Sequence, residues 1–154
     1  MIVLLDTNVL SELVRQRPDP VVLEWLDSRP ARTVGTTTIT IAELRYGVER
    51  LPDGRRKTLL ASAVDQMLTA DLDGRVADFD LSAARQYALV ATARERSGRP
   101  ISTADAQIAG ICRARGALLA TRNTKDFAGT GVDLVDPFEP DAAPPGQQGP
   151  PDLR

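Results

Sequence analysis

The chain has 154 residues, 42% of them apolar and 26% charged, with a formal net charge of −2. That composition fits one globular domain, able to bury roughly two thirds of its unfolded surface without disulfides or a structural metal. There is no histidine and a single cysteine, Cys112. These counts exclude Ser-His and Cys-His catalysis, His-ligated zinc or haem, thiolate zinc sites and disulfide frameworks. Any chemistry must run on carboxylates, hydroxyls, amides and basic side chains. If a metal takes part, hard oxygen ligands select magnesium or manganese.

The charge balance leaves no global footprint for nucleic acid, so such a partner requires local basic patches or metal ions bridging carboxylates to phosphates. A lone cysteine suits a reducing compartment. The run Met1-Ile-Val-Leu-Leu5 lacks a basic segment and is broken by Asp6, unlike a secretory signal. No uncharged stretch approaches the ~18 residues of a membrane span. A cytoplasmic location without membrane association is expected.

Residues 2–5 read as a buried strand closed by Asp6-Thr7-Asn8, after which Val9, Leu10, Leu13 and Val14 repeat at helical spacing. Pro18 and Pro20 break that helix, and Pro20 suits the first turn of the next, over 20–28. The β-branched segment 33–37 predicts a strand. Ile41, Leu44, Val48 and Leu51 then trace a helix face, and a further helix carries Leu59, Leu60, Ala63, Val64, Met67 and Leu68. A short strand near 75–79 leads through Asp80 into an Ala-rich helix over 82–97, stopped by Gly98 and Pro100. A helix over 103–115, a strand over 117–121 and a last strand over 132–135 complete the pattern. Strands alternate with helices, which predicts an α/β fold with a mostly parallel, helix-covered sheet. From 140 to 154 the chain carries five of its eleven prolines and almost no large apolar residue, the composition of a disordered tail.

Ligands of such a sheet sit beyond the carboxyl ends of the strands. Asp6 and Asn8 follow the first strand, Glu43 is expected within the first turn after the second, and Asp80 follows the third. Asp105 opens the helix before the fourth strand, and Asn123 and Asp126 follow that strand. Each acid alone has a plain explanation. Thr40-Ile-Ala-Glu43 and Ser102-Thr-Ala-Asp105 resemble capping boxes, and Asp6, Asp80 and Asn123 suit N-caps. Capping does not account for so many acids on one rim, since Ser, Thr and Asn cap as well as Asp. Crowded carboxylates either take up protons or bind a cation.

Other features are weaker. Gly129-Thr-Gly131 lacks the spacing of a dinucleotide fingerprint or phosphate loop and reads as a turn. Arg55-Arg56-Lys57 and Arg113/Arg115 read as solvated helix faces. Trp25, among Val22, Leu23 and Leu26, suits the core or a partner groove rather than a base-stacking platform.

Four segments taken in order, Ile2-Val-Leu-Leu-Asp6-Thr-Asn8, Ile41-Ala-Glu43-Leu-Arg-Tyr-Gly, Ala104-Asp105-Ala-Gln-Ile-Ala and Ala120-Thr-Arg-Asn123-Thr-Lys-Asp126-Phe, resemble a PIN-domain ribonuclease. More narrowly, the chain is similar to VapC toxins of the FitB-like group, from residue 1 to about 139. The resemblance implies a PIN-like nuclease domain over 1–139, with a central sheet of four to five strands covered by helices on both faces. The 140–154 tail lies outside it. It also implies an acidic pocket holding Mg²⁺ or Mn²⁺, with Asp6, Glu43, Asp105 and Asp126 as catalytic, metal-ligating acids. Asn8, Thr121 and Asn123 would be supporting polar residues, Asp80 a cap, and Arg122 and Lys125 phosphate contacts.

Endoribonuclease activity on an RNA substrate, a small cognate antitoxin and a toxin homodimer are further expectations of the resemblance. DNA would be met only indirectly, through the antitoxin. The antitoxin's C-terminal segment is expected in an apolar groove lined by Val9, Leu10, Leu13, Val22, Trp25 and Leu26. One alternative is a catalytically idle partner acting mainly as antitoxin-binding co-repressor. A phospho-receiver domain is disfavoured by the missing acid pair after the first strand.

Overall fold

β1 (Val3–Leu5) is buried along its length and pairs on both edges, with β2 (Val34–Thr37) and with β4 (Leu118–Ala120). The computed structural model describes residues 1–140. Within it β3 (Val76–Ala77) extends the sheet beyond β2 and β5 (Leu134–Val135) beyond β4, giving the order β3-β2-β1-β4-β5 with every pairing parallel. Parallel neighbours require crossovers, and helices supply most of them. α1 (Thr7–Leu13) and α2 (Pro20–Asp27) connect β1 to β2. α3 (Thr38–Glu49) and α4 (Arg55–Gln66) connect β2 to β3. α5 (Leu81–Arg96) and α6 (Thr103–Arg115) connect β3 to β4.

The twofold period of the strands divides the core into two layers. Val3 and Leu5 of β1 and Leu118 and Ala120 of β4 pack with Val9, Leu10, Val22, Trp25, Leu44 and Val64 from α1 to α4. Leu4 and Leu119, pointing the other way, pack with Ala83, Val90, Ala106, Ile108 and Ile111 of α5 and α6. β1 and β4 are therefore apolar throughout and read as unbroken apolar runs, whereas β2 carries the buried hydroxyls of Thr36 and Thr37. Cys112 belongs to the second layer, and burial pushes its thiol up to about 12, so it is an inert core residue.

Local signals set most of the boundaries. Asp19 caps α2 by accepting the Val21 N–H at 2.9 Å, and Pro20 occupies the first turn. Asp80 accepts the Ala83 N–H at 2.9 Å as the cap of α5. Gly116, at φ 61°, ends α6 in the left-handed region that glycine tolerates. α4 runs into a π-helical turn, Met67–Asp71, so the single helix expected through Leu68 divides in two.

Two expectations are corrected. α3 starts at Thr38, with Thr37 as the cap accepting the Thr40 N–H at 3.0 Å, so Thr40-Ile-Ala-Glu43 is not a capping box. Glu43 falls in the second turn of the helix, and its carboxylate is free for other work. Val9, Leu10, Val22 and Trp25, expected to line an open groove, are core residues facing the sheet, and Leu13 and Leu26 pack against them. The tail expected from 140 onward lies, after Pro140, outside the described residues.

Candidate functional site

The segments leaving β1 and β4, with the N-terminal parts of α3 and α6, meet on one rim of the sheet. Asp6 directly follows β1 and is 4% exposed. Its Oδ1 caps α1 by accepting the Thr7 N–H at 2.8 Å. Its Oδ2 accepts the Thr121 hydroxyl at 2.7 Å and the Asn8 amide at 3.4 Å. Asp6 is thus a cap and a rim acid at once.

Thr121, immediately after β4, is a hub. While donating to Asp6 it accepts the Asn123 N–H at 3.0 Å and the Asn8 side-chain amide at 3.3 Å. Asn8 completes the link with its Oδ1, which accepts the Arg122 N–H at 3.0 Å. Asn123 caps no helix; it stands exposed in the turn after β4. On the other wall, Glu43 accepts the Thr7 hydroxyl at 3.0 Å. Asp105 sits in the first turn of α6, its N–H donated to the cap Ser102 at 3.2 Å.

These groups enclose a cleft of about 270 Å³ lined by Asp6, Thr7, Asn8, Ser11, Glu43, Asp105 and Asn123. Asp126 is exposed and outside this lining, but its charge reaches both Asp6 and Asp105. The structure therefore brings three of the four expected acids into one cleft and leaves the fourth as an electrostatic neighbour. Thr7 and Ser11 were not singled out from the sequence. Thr7 lies inside the Asp6-Thr-Asn8 triplet, and only the fold shows that its hydroxyl crosses to Glu43, 36 positions away.

Burial raises Asp6, Glu43 and Asp105 above ordinary carboxylate values. Hydrogen bonds from Thr121, Thr7 and Ser102 respectively work against that rise. Mutual repulsion adds to it, from Asp126 on Asp6, from Asp6 and Asp105 on Glu43, and from Asp6 and Asp126 on Asp105. Among the described residues the ion pairs lie elsewhere, as between Arg15 and Glu12 or Arg45 and Asp65, and none involves these four acids. An all-oxygen, anionic and unneutralised donor set is what a hard divalent cation requires. Among the described residues no three of the acids close into a compact cage; they line an open cleft.

The outlying expectations divide. The Arg122 guanidinium lies 4.0 Å from the centroid of the Phe138 ring, a stacked position beside the site, and Lys125 is exposed. Arg55 and Arg56, expected on a solvated face, are exposed but line a groove of about 980 Å³ together with Leu59, Leu60, Val14 and Arg15.

Comparison with known proteins places this architecture. The PIN-domain family model matches residues 3–132. VapC ribonuclease Y4jK of Sinorhizobium fredii is 41% identical over 138 residues, covering 90% of this chain and 99% of the relative. The toxin FitB of Neisseria gonorrhoeae is 36% identical over 136 residues, covering 88% of this chain and 98% of its own length. The solved structure of FitAB bound to an IR36 DNA fragment superposes with a TM-score of 0.82 at 35% identity, covering 90% of this chain and 96% of the matched chain. With its parallel five-stranded sheet and its homologues among VapC ribonucleases and the FitB toxin, the chain belongs to the PIN-domain family.

Proposed function

We propose that this chain is the toxin of a toxin–antitoxin pair and acts as a divalent-metal-dependent endoribonuclease. The observation that carries the reading is the cleft itself, in which Asp6, Glu43 and Asp105 lie together, raised by burial and repulsion and, among the described residues, paired with no cation. These three, with Asp126 at the margin, would hold Mg²⁺ or Mn²⁺. When bound, the ion supplies an acidified water and positive charge for the phosphate oxygens, which removes the need for a histidine base. The chain's own groups orient the ligands: Thr121 and Asn8 fix Asp6, Thr7 fixes Glu43, and Ser102 fixes the start of α6 beneath Asp105. Ser11 and Asn123 add hydrogen-bonding groups along the cleft wall for an RNA backbone.

The partner reading rests on the relatives, since FitB is a toxin and its structural counterpart is the FitAB assembly on DNA. By that likeness this chain has a small antitoxin partner, forms a homodimer, and meets DNA only through the antitoxin. The candidate docking surface is the groove of Leu59, Leu60 and Val14 edged by Arg15, Arg55 and Arg56, which suits an apolar segment bearing acids. No helix among the described residues is long and apolar enough to cross a membrane, and the toxin reading places the protein in the cytoplasm. The nuclease unit is residues 1–139, with the remainder outside it.

The reading is tested by incubating the antitoxin-free chain with total RNA in Mg²⁺, Mn²⁺ or chelator. Discrete cuts that need the metal are expected. Cleavage that survives chelation would remove the metal role, and a folded, metal-binding chain that cuts nothing would leave the idle co-repressor.

A further inference from the structure

Arg94, in the last turn of α5, is 7% exposed. Its Nε donates to the Arg99 carbonyl at 2.6 Å, and its Nη1 donates to the Asp126 and Ala128 carbonyls at 2.8 and 3.0 Å. Among the described residues no carboxylate pairs with it. A buried guanidinium bonded only to neutral carbonyls is costly compared with an apolar side chain of similar volume. Its placement supplies the reason. The Arg99 carbonyl lies in the segment that enters α6 at Ser102 and so delivers Asp105, whereas the Asp126 and Ala128 carbonyls belong to the turn after β4. One side chain thus joins the two segments that carry Asp105 and Asp126. Its charge also reaches the cleft, where it lowers Asp105 against the repulsion of Asp6 and Asp126.

We propose that Arg94 is a positioning residue of the acidic site: by clamping the Asp126 turn to the entry of α6, it sets the placement of Asp126 relative to Asp105. The inference rests on the metal-site reading above. The guanidinium fork bonds both segments at once, which an ammonium or an amide in the same place does not reproduce.

The experiment is Mn²⁺ binding by electron paramagnetic resonance on the full chain without RNA. Wild type, Arg94→Met, Arg94→Lys, Asp126→Asn and the Arg94→Met/Asp126→Asn double variant are compared. Arg94→Met is expected to weaken Mn²⁺ about tenfold, as loss of a group that orients a ligand does. In the Asp126→Asn background the same change is expected to add far less than tenfold, because most of its effect runs through Asp126 and only the action of its charge on Asp105 remains. A purely architectural Arg94 would lower Tm in both backgrounds and leave Mn²⁺ affinity at the wild-type value, or would weaken it additively. Either result overturns the proposal. If Arg94→Met fails to fold, Arg94→Lys carries the same comparison, with a several-fold loss expected that disappears in Asp126→Asn. A folded wild type that binds no Mn²⁺ overturns the metal-site reading and this role with it. Equal Mn²⁺ binding by wild type and the Arg94 variants overturns this role alone.

Discussion

The Thr121 hydroxyl donates to Asp6 Oδ2 at 2.7 Å, joining positions 115 apart in the chain. The bond is possible because β1 and β4 are adjacent and parallel, with Leu5 opposite Ala120, so the residues that follow them emerge side by side. It gives a buried carboxylate a short donor and holds that carboxylate at the mouth of the cleft. Thr121→Val keeps the shape and removes the hydroxyl, leaving Asp6 Oδ2 with the longer Asn8 contact and the Asn123 N–H unpaired. The cost expected is about 1–3 kcal/mol of stability together with loss of cleavage. Chemical denaturation checks the first part, and an unchanged midpoint would show that Thr121 is dispensable to the rim.

Neutralising one acid should have opposite effects on stability and activity. Asp6→Asn and Asp105→Asn each remove a charge that repels its neighbours, but both oxygens of Asp6 accept hydrogen bonds and a carboxamide keeps only one of them as an acceptor. Metal-free Asp105→Asn is expected to gain about 1 kcal/mol, or about 2–4 °C in Tm, metal-free Asp6→Asn to change less because the lost hydrogen bond offsets the relieved repulsion, and both to lose cleavage. Added Mg²⁺ should raise the wild-type Tm and leave the variants unmoved. A fall in Tm for both metal-free variants would contradict the repulsion account.

The same repulsion fixes the sign of the pH response. Asp6, Glu43 and Asp105 have folded-state values raised above 3.8, 4.5 and 3.8 respectively, so between those values and the raised ones the folded chain binds more protons than the unfolded chain. Stability contributed by these groups then rises as pH falls through the raised values, and levels off near the ordinary carboxylate values. Metal-free wild type should therefore melt higher just below its raised carboxylate values than at neutral pH. The gain should shrink in Asp6→Asn and in saturating Mg²⁺. Melting curves across that range decide it; a gain as large in Asp6→Asn would place its source elsewhere.

The helix carrying Asp105 depends on a close approach at Gly110. A Cβ there would meet the Ala83 carbonyl oxygen at 2.7 Å and the Tyr87 nitrogen at 2.9 Å, both backbone atoms of α5. Gly110→Ala must separate α5 from α6 and is expected to cost about 1–3 kcal/mol, although Ala favours helices. A variant as stable as wild type, measured by thermal unfolding, would mean that the two helices slide apart freely.

Removal of residues 140–154 is expected to leave RNA cleavage at the wild-type rate, because their Pro- and Gly-rich composition offers no acid cluster. A rate assay on the truncated chain checks this, and lost activity would assign the tail a part in the site.

The sequence made the alternation of elements legible because buried parallel strands are continuous apolar runs, and β1 and β4 are of that kind. The strand-end acids were legible for the same reason, since Asp6 follows β1 directly and Asp105 opens α6. The start of α3 was not. Thr37, Thr38 and Thr40 all suit a cap, and the choice of Thr37 depends on where β2 stops pairing. The faces of α1 and α2 were misassigned because helical spacing marks an apolar stripe without saying whether sheet or partner covers it. Arg94 was invisible: its acceptors are backbone carbonyls, which every residue has, and it sits in a helix otherwise rich in alanine and arginine.

Cleavage of RNA at the acidic cleft is proposed to depend on Asp6. Its most direct test sets wild type beside Asp6→Asn, both free of antitoxin, with total RNA and Mn²⁺, and maps the ends of every product. Discrete cuts are expected in the wild-type lane that vanish in Asp6→Asn, while the variant remains folded. The same cuts at the same rate in both lanes would contradict that dependence.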